Sequence, residues 1–163
     1  MPSRAVVRAA PDTTLYLGAS PGGLCRISFF DDLPREWSED DSDPILREAA
    51  RQLTMYFEGR LRDFDLPLEL EGTLFQQRVW NTLRTIPYGQ TISYAQLATA
   101  VESPKGFRAV GSANGKNPIP IIVPCHRVVQ TGGGLGGFSC GVAYKRRLLD
   151  LEQSNENSRF ELR

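Results

Sequence analysis

Two stretches near the start of the chain, Thr13-Thr14-Leu15-Tyr16-Leu17 and Leu24-Cys25-Arg26-Ile27-Ser28-Phe29, are rich in strand-forming residues and flank Pro21-Gly22-Gly23. Branched and aromatic side chains suit a pleated backbone and the Pro-Gly cluster suits a turn, so the pattern predicts a β-hairpin. The acidic run over 36–43 reads as a solvated loop. At Asp43-Pro44 the period changes, and Leu46, Ala50, Leu53 and Phe57 recur at helical spacing. This predicts a helix with one apolar face, opened by a capping carboxylate and a proline at the first position, and closed near Gly59. Leu61 to Glu71 is polar and extended, and ends the first unit near Gly72.

A second unit starts with a capping box, Thr73 with Gln76, ahead of Phe75, Val79, Leu83 and Ile86 on one helical side. Pro87-Tyr88-Gly89 ends that helix. A second box, Ser93 with Gln96, launches a short helix through Leu97 and Val101, and Ser103-Pro104 is expected to cap a third, running through Phe107, Arg108, Ala109 and Val110. Two short helices joined by a tight turn predict a helix-turn-helix. Its second helix carries small residues, Gly106, Ala109, Gly111, Ser112 and Ala113, which would let backbone approach a narrow minor groove, with Arg108 projecting as the long cation. A tightly packed helix crossing fits the same pattern.

The 163 residues suffice for one compact domain or two small ones. No apolar run approaches the roughly 20 residues that cross a bilayer, so an untargeted, cytoplasmic protein without a membrane partner is expected. Cys25, Cys125 and Cys140 are odd in number and widely spaced, which predicts reduced thiols, and a single histidine argues against a structural zinc site. Formal charge is zero overall, but the halves differ. Residues 1–72 hold 8 Lys+Arg against 14 Asp+Glu, while residues 73–152 hold 9 against 3. A basic module that meets a polyanion would explain the split.

The segment Pro124-Cys125-His126-Arg127-Val128 joins a cysteine to the only histidine of the chain. An ordinary thiol is only a few per cent ionised at neutral pH, so a reacting cysteine needs a base or a positive charge nearby, and His126 and Arg127 offer both. On an extended segment adjacent side chains diverge, so His126 would act through a bridging water. A buried structural cysteine beside a satisfied histidine fits these five residues equally well. The glycine-rich run Thr131 to Ser139 lacks the lysine and hydroxyl of a phosphate loop at the required spacing, and reads either as a turn and a flexible wall with Gly137 as a hinge or as a mobile surface loop.

Taken together, Phe75-Gln76-Gln77-Arg78-Val79-Trp80, Ile86-Pro87-Tyr88-Gly89, Ser93-Tyr94, Arg108 to Asn114, Asn117-Pro118-Ile119-Pro120 and Pro124 to Val128 closely resemble the O6-alkylguanine-DNA alkyltransferases. The resemblance implies a ribonuclease H-like α/β domain over 1–72 and a winged helix-turn-helix domain over 73–163. It implies that Cys125 takes the alkyl group of O6-alkylguanine irreversibly, once per molecule. His126 would be the base, Glu152 its orienting carboxylate, Asn117 the residue that holds the surrounding loop, and Tyr94 the proton donor to the purine. Val128, Ser139, Phe138 and Lys145 would contact the substrate base. Arg108, Tyr94, Ala109, Ser93 and Gly111 would contact double-stranded DNA through the minor groove, with the damaged base flipped out. No cofactor and no metal are expected, and the chain should act as a monomer. Activity on O4-alkylthymine and cooperativity on DNA stay open.

Two positions depart from the family pattern. Phe107 stands where alanine is usual and Cys140 where glycine is common. The nearest rival is the alkyltransferase-like group, which binds lesions without chemistry and lacks the reactive cysteine. A repeatedly acting cysteine hydrolase and a transcription regulator are more distant alternatives.

Overall fold

The computed structural model describes the backbone of residues 2–161 and the side chains of residues 2–156. The chain divides into two units, Met1–Glu71 and Gly72–Arg163.

The first unit is a four-stranded sheet covered by one helix. The predicted hairpin is present as β2 (Thr13–Ser20) and β3 (Gly23–Ser28), paired antiparallel. The sequence pattern missed a strand before it, β1 (Ser3–Ala10), which pairs antiparallel with β2. The acidic segment is not wholly loop, because β4 (Ser38–Glu39) pairs parallel with β1, giving the order β3-β2-β1-β4. At the far edge, Leu24 exchanges backbone hydrogen bonds with the connector, through Pro67 O at 2.9 Å and Glu69 N at 2.8 Å.

Helix α1 (Pro44–Phe57) starts as expected, with Asp43 Oδ1 accepting from Ile45 N at 2.9 Å and Leu46 N at 3.2 Å. Its buried face is Leu46, Ala49, Leu53 and Tyr56, one position away from the predicted Ala50 and Phe57. Gln52 is buried with them, and its amide clasps the backbone of Asp65 by two hydrogen bonds of 2.9 Å. The polar connector is thereby tied to α1. Leu15, Leu17, Leu24, Ile27, Leu46 and Leu53 fill the space between helix and sheet. Burying each such side chain favours folding by about 1.5–3 kcal/mol.

The second unit holds α2 (Leu74–Leu83), α3 (Tyr94–Ala100), α4 (Phe107–Gly115) and α5 (Val142–Glu161). Both capping boxes form: Gln76 N donates to Thr73 Oγ1 at 3.1 Å and Gln96 N to Ser93 Oγ at 3.0 Å. The expected cap at Ser103-Pro104 does not form. Helix α4 is preceded by Gly106 with no side-chain cap, and Ser103 O instead accepts from Gly106 N at 2.8 Å to shape the turn from α3. Trp80 of α2 is buried and donates its indole N–H to Ala113 O at 2.8 Å, which fixes α2 against α4.

A short parallel pair, β5 (Ile92–Ser93) with β6 (Val128–Val129), organises the rest. Strand β5 leads directly into Tyr94, and β6 follows directly on a single 3-10 turn over Cys125–Arg127. Their pairing brings the start of α3 to the cysteine. Helix α5 contributes Lys145, Leu148 and Glu152 from one buried face, at i, i+3 and i+7. Among the described residues, no helix is long and apolar enough to cross a membrane.

Candidate active site

Cys125 is 3% exposed and sits at the start of the 3-10 turn, not on the extended segment that its sequence suggested. The turn is closed by Arg127 N donating to Pro124 O at 3.0 Å. The loop before it is held by Asn117, whose Nδ2 donates to Val123 O at 2.7 Å while its Oδ1 accepts from Ile119 N at 2.9 Å. That loop contains Ile121, buried and at φ 77, a left-handed conformation that a β-branched residue rarely adopts. Such a residue stores roughly 1–3 kcal/mol of strain, maintained here by the ties of Asn117.

Glu152 is fully buried, and both of its oxygens accept hydrogen bonds. Oε1 receives Arg127 Nε at 2.8 Å and Gly89 N at 3.1 Å; Oε2 receives His126 Nε2 at 2.7 Å and Arg127 Nη2 at 3.1 Å. Arg127 Nη1 donates to Ile86 O at 2.7 Å, and its guanidinium lies 5.6 Å from the Tyr88 ring centroid. Gly89 has φ 78, and a side chain there would meet Glu156, so the turn that ends α2 requires glycine to aim its N–H at the carboxylate.

Burial pushes the Glu152 carboxyl upward, but the hydrogen bonds from His126 and Arg127 and the charge of Arg127 outweigh it and hold the group well below the usual carboxylate range. An ionised carboxylate can only accept, so His126 Nε2 carries the proton and Nδ1 carries the lone pair. Burial lowers the His126 pKa despite the raising influence of Glu152, so the imidazole is neutral at pH 7. Nδ1 is buried with no hydrogen-bond partner among the described residues. It is an unengaged base.

The thiol of Cys125 is pushed up to about 12, chiefly by burial, against the opposing influence of the Asn117 amide and the Lys145 ammonium. Ionising it at pH 7 without assistance would cost about 7 kcal/mol, so loss of its proton has to accompany the reaction of the sulfur. The cation that favours the thiolate is Lys145, not Arg127. The sequence offered Arg127 for that role, but the structure commits its guanidinium to Glu152.

Lys145 is buried on α5 and donates to Val128 O at 2.6 Å and to Gly137 O at 3.3 Å, with Nζ 5.7 Å from the Tyr94 ring centroid. The Tyr94 hydroxyl donates to the same Gly137 carbonyl at 3.4 Å. Burial and then the nearby sulfur raise the Tyr94 pKa, which keeps it a proton donor. Gly137, expected as a hinge, is where the glycine-rich segment is tethered. Tyr94, Gly111, Asn114, Gly115, Gly137, Phe138 and Ser139 line a cavity of about 170 Å³.

Of the residues singled out from sequence, the structure therefore gathers Cys125, His126, Glu152, Asn117, Tyr94 and Lys145 around one centre. Phe138, Ser139 and Gly111 line the adjacent cavity. Val128 is buried outside that lining, and its carbonyl is already engaged by Lys145. Arg108 and Ala109 are exposed on α4, and Ser93 caps α3. Sequence reasoning missed the roles of Gly89 and Arg127 at Glu152 and the presence of Asn114 in the cavity wall. Only the turn signal Pro87-Tyr88-Gly89 hinted at the first.

Fold and site together define a thiol protein of two units, in which a buried cysteine, a neutral histidine and an ionised carboxylate share a unit with paired short helices. Residues 74–154 match the DNA binding domain of 6-O-methylguanine DNA methyltransferase, and residues 9–70 match the ribonuclease-like domain of the same proteins. A methylated-DNA–protein-cysteine methyltransferase of Methanosarcina barkeri is 43% identical over 151 residues, covering 90% of this chain and 94% of the relative. The crystal structure of Mycobacterium tuberculosis O6-methylguanine methyltransferase superposes with a TM-score of 0.85 at 42% identity, covering 95% of this chain and 94% of that one. The crystal structure of Mycobacterium tuberculosis OGT in complex with DNA gives 0.83 at 44% identity, covering 90% of each chain. The chain belongs to the 6-O-methylguanine DNA methyltransferase family, with an N-terminal ribonuclease-like domain and a C-terminal DNA-binding domain.

Proposed function

We propose that this chain repairs DNA by direct reversal, moving the alkyl group from O6 of guanine in duplex DNA onto Cys125 in a single, irreversible event. The observation that carries this reading is the unengaged Nδ1 of a neutral His126, backed by an ionised Glu152, beside a thiol too buried to ionise alone. As the sulfur attacks the alkyl carbon, its proton passes through a water to Nδ1, and the S–C bond forms while the O6–C bond breaks. The released electron pair goes to the purine, where the Tyr94 phenol protonates N3. The imidazolium then gives its proton up through water and the Tyr94 phenolate takes one back, so the products are a thioether and guanine and, in net, the thiol proton has moved to the purine. Lys145 stabilises the developing thiolate, and Asn117 holds the loop that presents it.

Residues 73–163 act in this reading as a winged helix-turn-helix domain and residues 1–72 as a ribonuclease H-like one. Helix α4, with Ala109 and Gly111, lies along the minor groove, supported by Tyr94 and Ser93 at the start of α3. Arg108, exposed and without a polar partner among the described residues, fills the gap left by the flipped nucleotide. The base enters the cavity beside Tyr94, against Phe138 and Ser139, while Val128, behind that lining, serves it indirectly by holding Lys145. A cavity of about 170 Å³ is smaller than the roughly 300 Å³ of ordinary ligand sites, so the glycine-rich wall opens to admit it. The chain acts as a monomer inside the cell. A lesion binder without chemistry would have no use for Cys125 or its base.

Incubating the protein with a duplex containing O6-methylguanine should add one methyl group per chain, and peptide mapping should find it on Cys125. An unmodified Cys125 after exhaustive exposure, or release of more than one equivalent of repaired guanine per chain, would overturn the reading.

A further inference from the structure

Phe107, the first residue of α4, is 52% exposed, and no hydrogen bond or ring contact engages it among the described residues. Helical spacing places Gly111, Asn114 and Gly115 on its side of α4, and all three line the cavity beside Tyr94. A Cβ at Gly111 or Gly115 would meet nothing within 4 Å. The phenyl ring therefore stands one helical turn from the cavity edge, across bare backbone. Lys105 and Arg108 are exposed on either side of it in sequence and Lys116 is exposed at the other end of α4, and Glu102 is the only acid between residues 94 and 117. A surface of free cations with one isolated apolar ring suits a polyanion that also offers flat apolar faces. Duplex DNA has both, whereas a lipid surface or an apolar protein groove would call for more than one apolar side chain.

We infer that Phe107 is a wedge that stacks on a base flanking the extruded nucleotide. The inference rests on the base-flipping reading above. Extrusion exposes the faces of the neighbouring bases, and an apolar side chain at an opened step recovers part of the lost stacking. Arg108 is adjacent in sequence but about 100° further round the helix, so the two side chains can divide the work. The cation occupies the vacated position and the ring covers a flanking face.

The test uses the full chain carrying Cys125→Ser, which stops transfer, and a duplex with O6-methylguanine beside 2-aminopurine. Adding Phe107→Ala should weaken binding about tenfold. It should leave the slope of log affinity against log salt unchanged, because no phosphate contact is lost. It should also remove the quenching of 2-aminopurine fluorescence that stacking produces, and Phe107→Trp should restore both. Equal affinity for the alanine variant, or a reduced affinity with quenching intact, would overturn the wedge. If that happens while the unsubstituted chain still methylates Cys125, only the wedge fails; absence of both lesion binding and transfer would sink the reading beneath it.

Discussion

The ion pairs of the N-terminal unit lie at its surface, as with Arg4 and Glu39, Arg35 and Asp31, Arg51 and Glu48, and Arg60 and Glu58. Its buried polar side chains, Thr13, Ser28 and Gln52, carry no charge. The C-terminal unit does the reverse, sinking Arg127, Lys145 and Glu152 together with His126 into its interior. Exposed pairs contribute about 0–1 kcal/mol each, so the first unit is held by apolar packing. Buried charges are costly to desolvate and rarely the best route to stability. Their presence in the second unit makes sense as chemistry, because a neutral base and a reluctant thiol both need a field that water would screen.

The contrast can be broken most sharply at Glu152. Replacing it with alanine leaves the Arg127 guanidinium buried and unpaired, which should destabilise the C-terminal unit by about 3–5 kcal/mol. It should also slow methyl transfer by about 10²- to 10⁴-fold, since His126 loses the acceptor that fixes its tautomer. Single-turnover kinetics and urea unfolding would measure the two effects separately. Trp80 reports on the C-terminal unit and Trp37 on the other, so tryptophan-to-phenylalanine variants can assign each transition.

In the N-terminal unit the corresponding weak point is apolar. Leu53→Ala should cost about 2–5 kcal/mol of that unit's stability, read as a lower urea midpoint of the Trp37 signal.

Acid should separate the units more gently. His126 in the folded state is held below its ordinary 6.5 and Glu152 below its ordinary 4.5, so the unfolded chain binds their protons more readily. The stability they contribute is complete above those ordinary values and is lost as pH falls through them. The Trp80 transition should weaken first below about pH 6.5 and then further below 4.5, and transfer should slow as His126 is protonated. Glu48 in the first unit is lowered to about 2, chiefly by its hydrogen bond to Arg51, but the pair is open to solvent. The smallest effect is accordingly expected there: Glu48→Gln should leave the urea midpoint of the Trp37 signal essentially where it is, and a clear drop would show that surface pairing matters to this unit after all.

Much of this was legible in the sequence where a local signal had a local cause. Both capping boxes, the β2–β3 turn and the Asp43-Pro44 helix start are written in neighbouring residues and form as the pattern predicts. Strand β1 escaped because Arg4 and Arg8 interrupt its apolar run and Val6 faces solvent, so the alternation lies in Ala5, Val7 and Ala9. The apolar face of α1 was misjudged by one position because Ala49-Ala50 and Tyr56-Phe57 are interchangeable to a hydropathy pattern; only the sheet decides between them. In the site, a cysteine beside a histidine could be seen, but the direction of Arg127 could not. An arginine's reach lets it serve any neighbour within several ångströms, and the carboxylate that claims it lies 25 residues away.

Gly137 offers a single carbonyl to both Lys145 and Tyr94, at 3.3 and 3.4 Å. Contacts that long are shallow barriers, and they are what tethers the glycine-rich segment to these two side chains. Under the proposed reading, the bulk of the passenger that the sulfur can accept is then a matter of how readily two latches on one peptide group let go. Tightening that peptide's hold would make the protein choosier without touching any group that takes part in bond making.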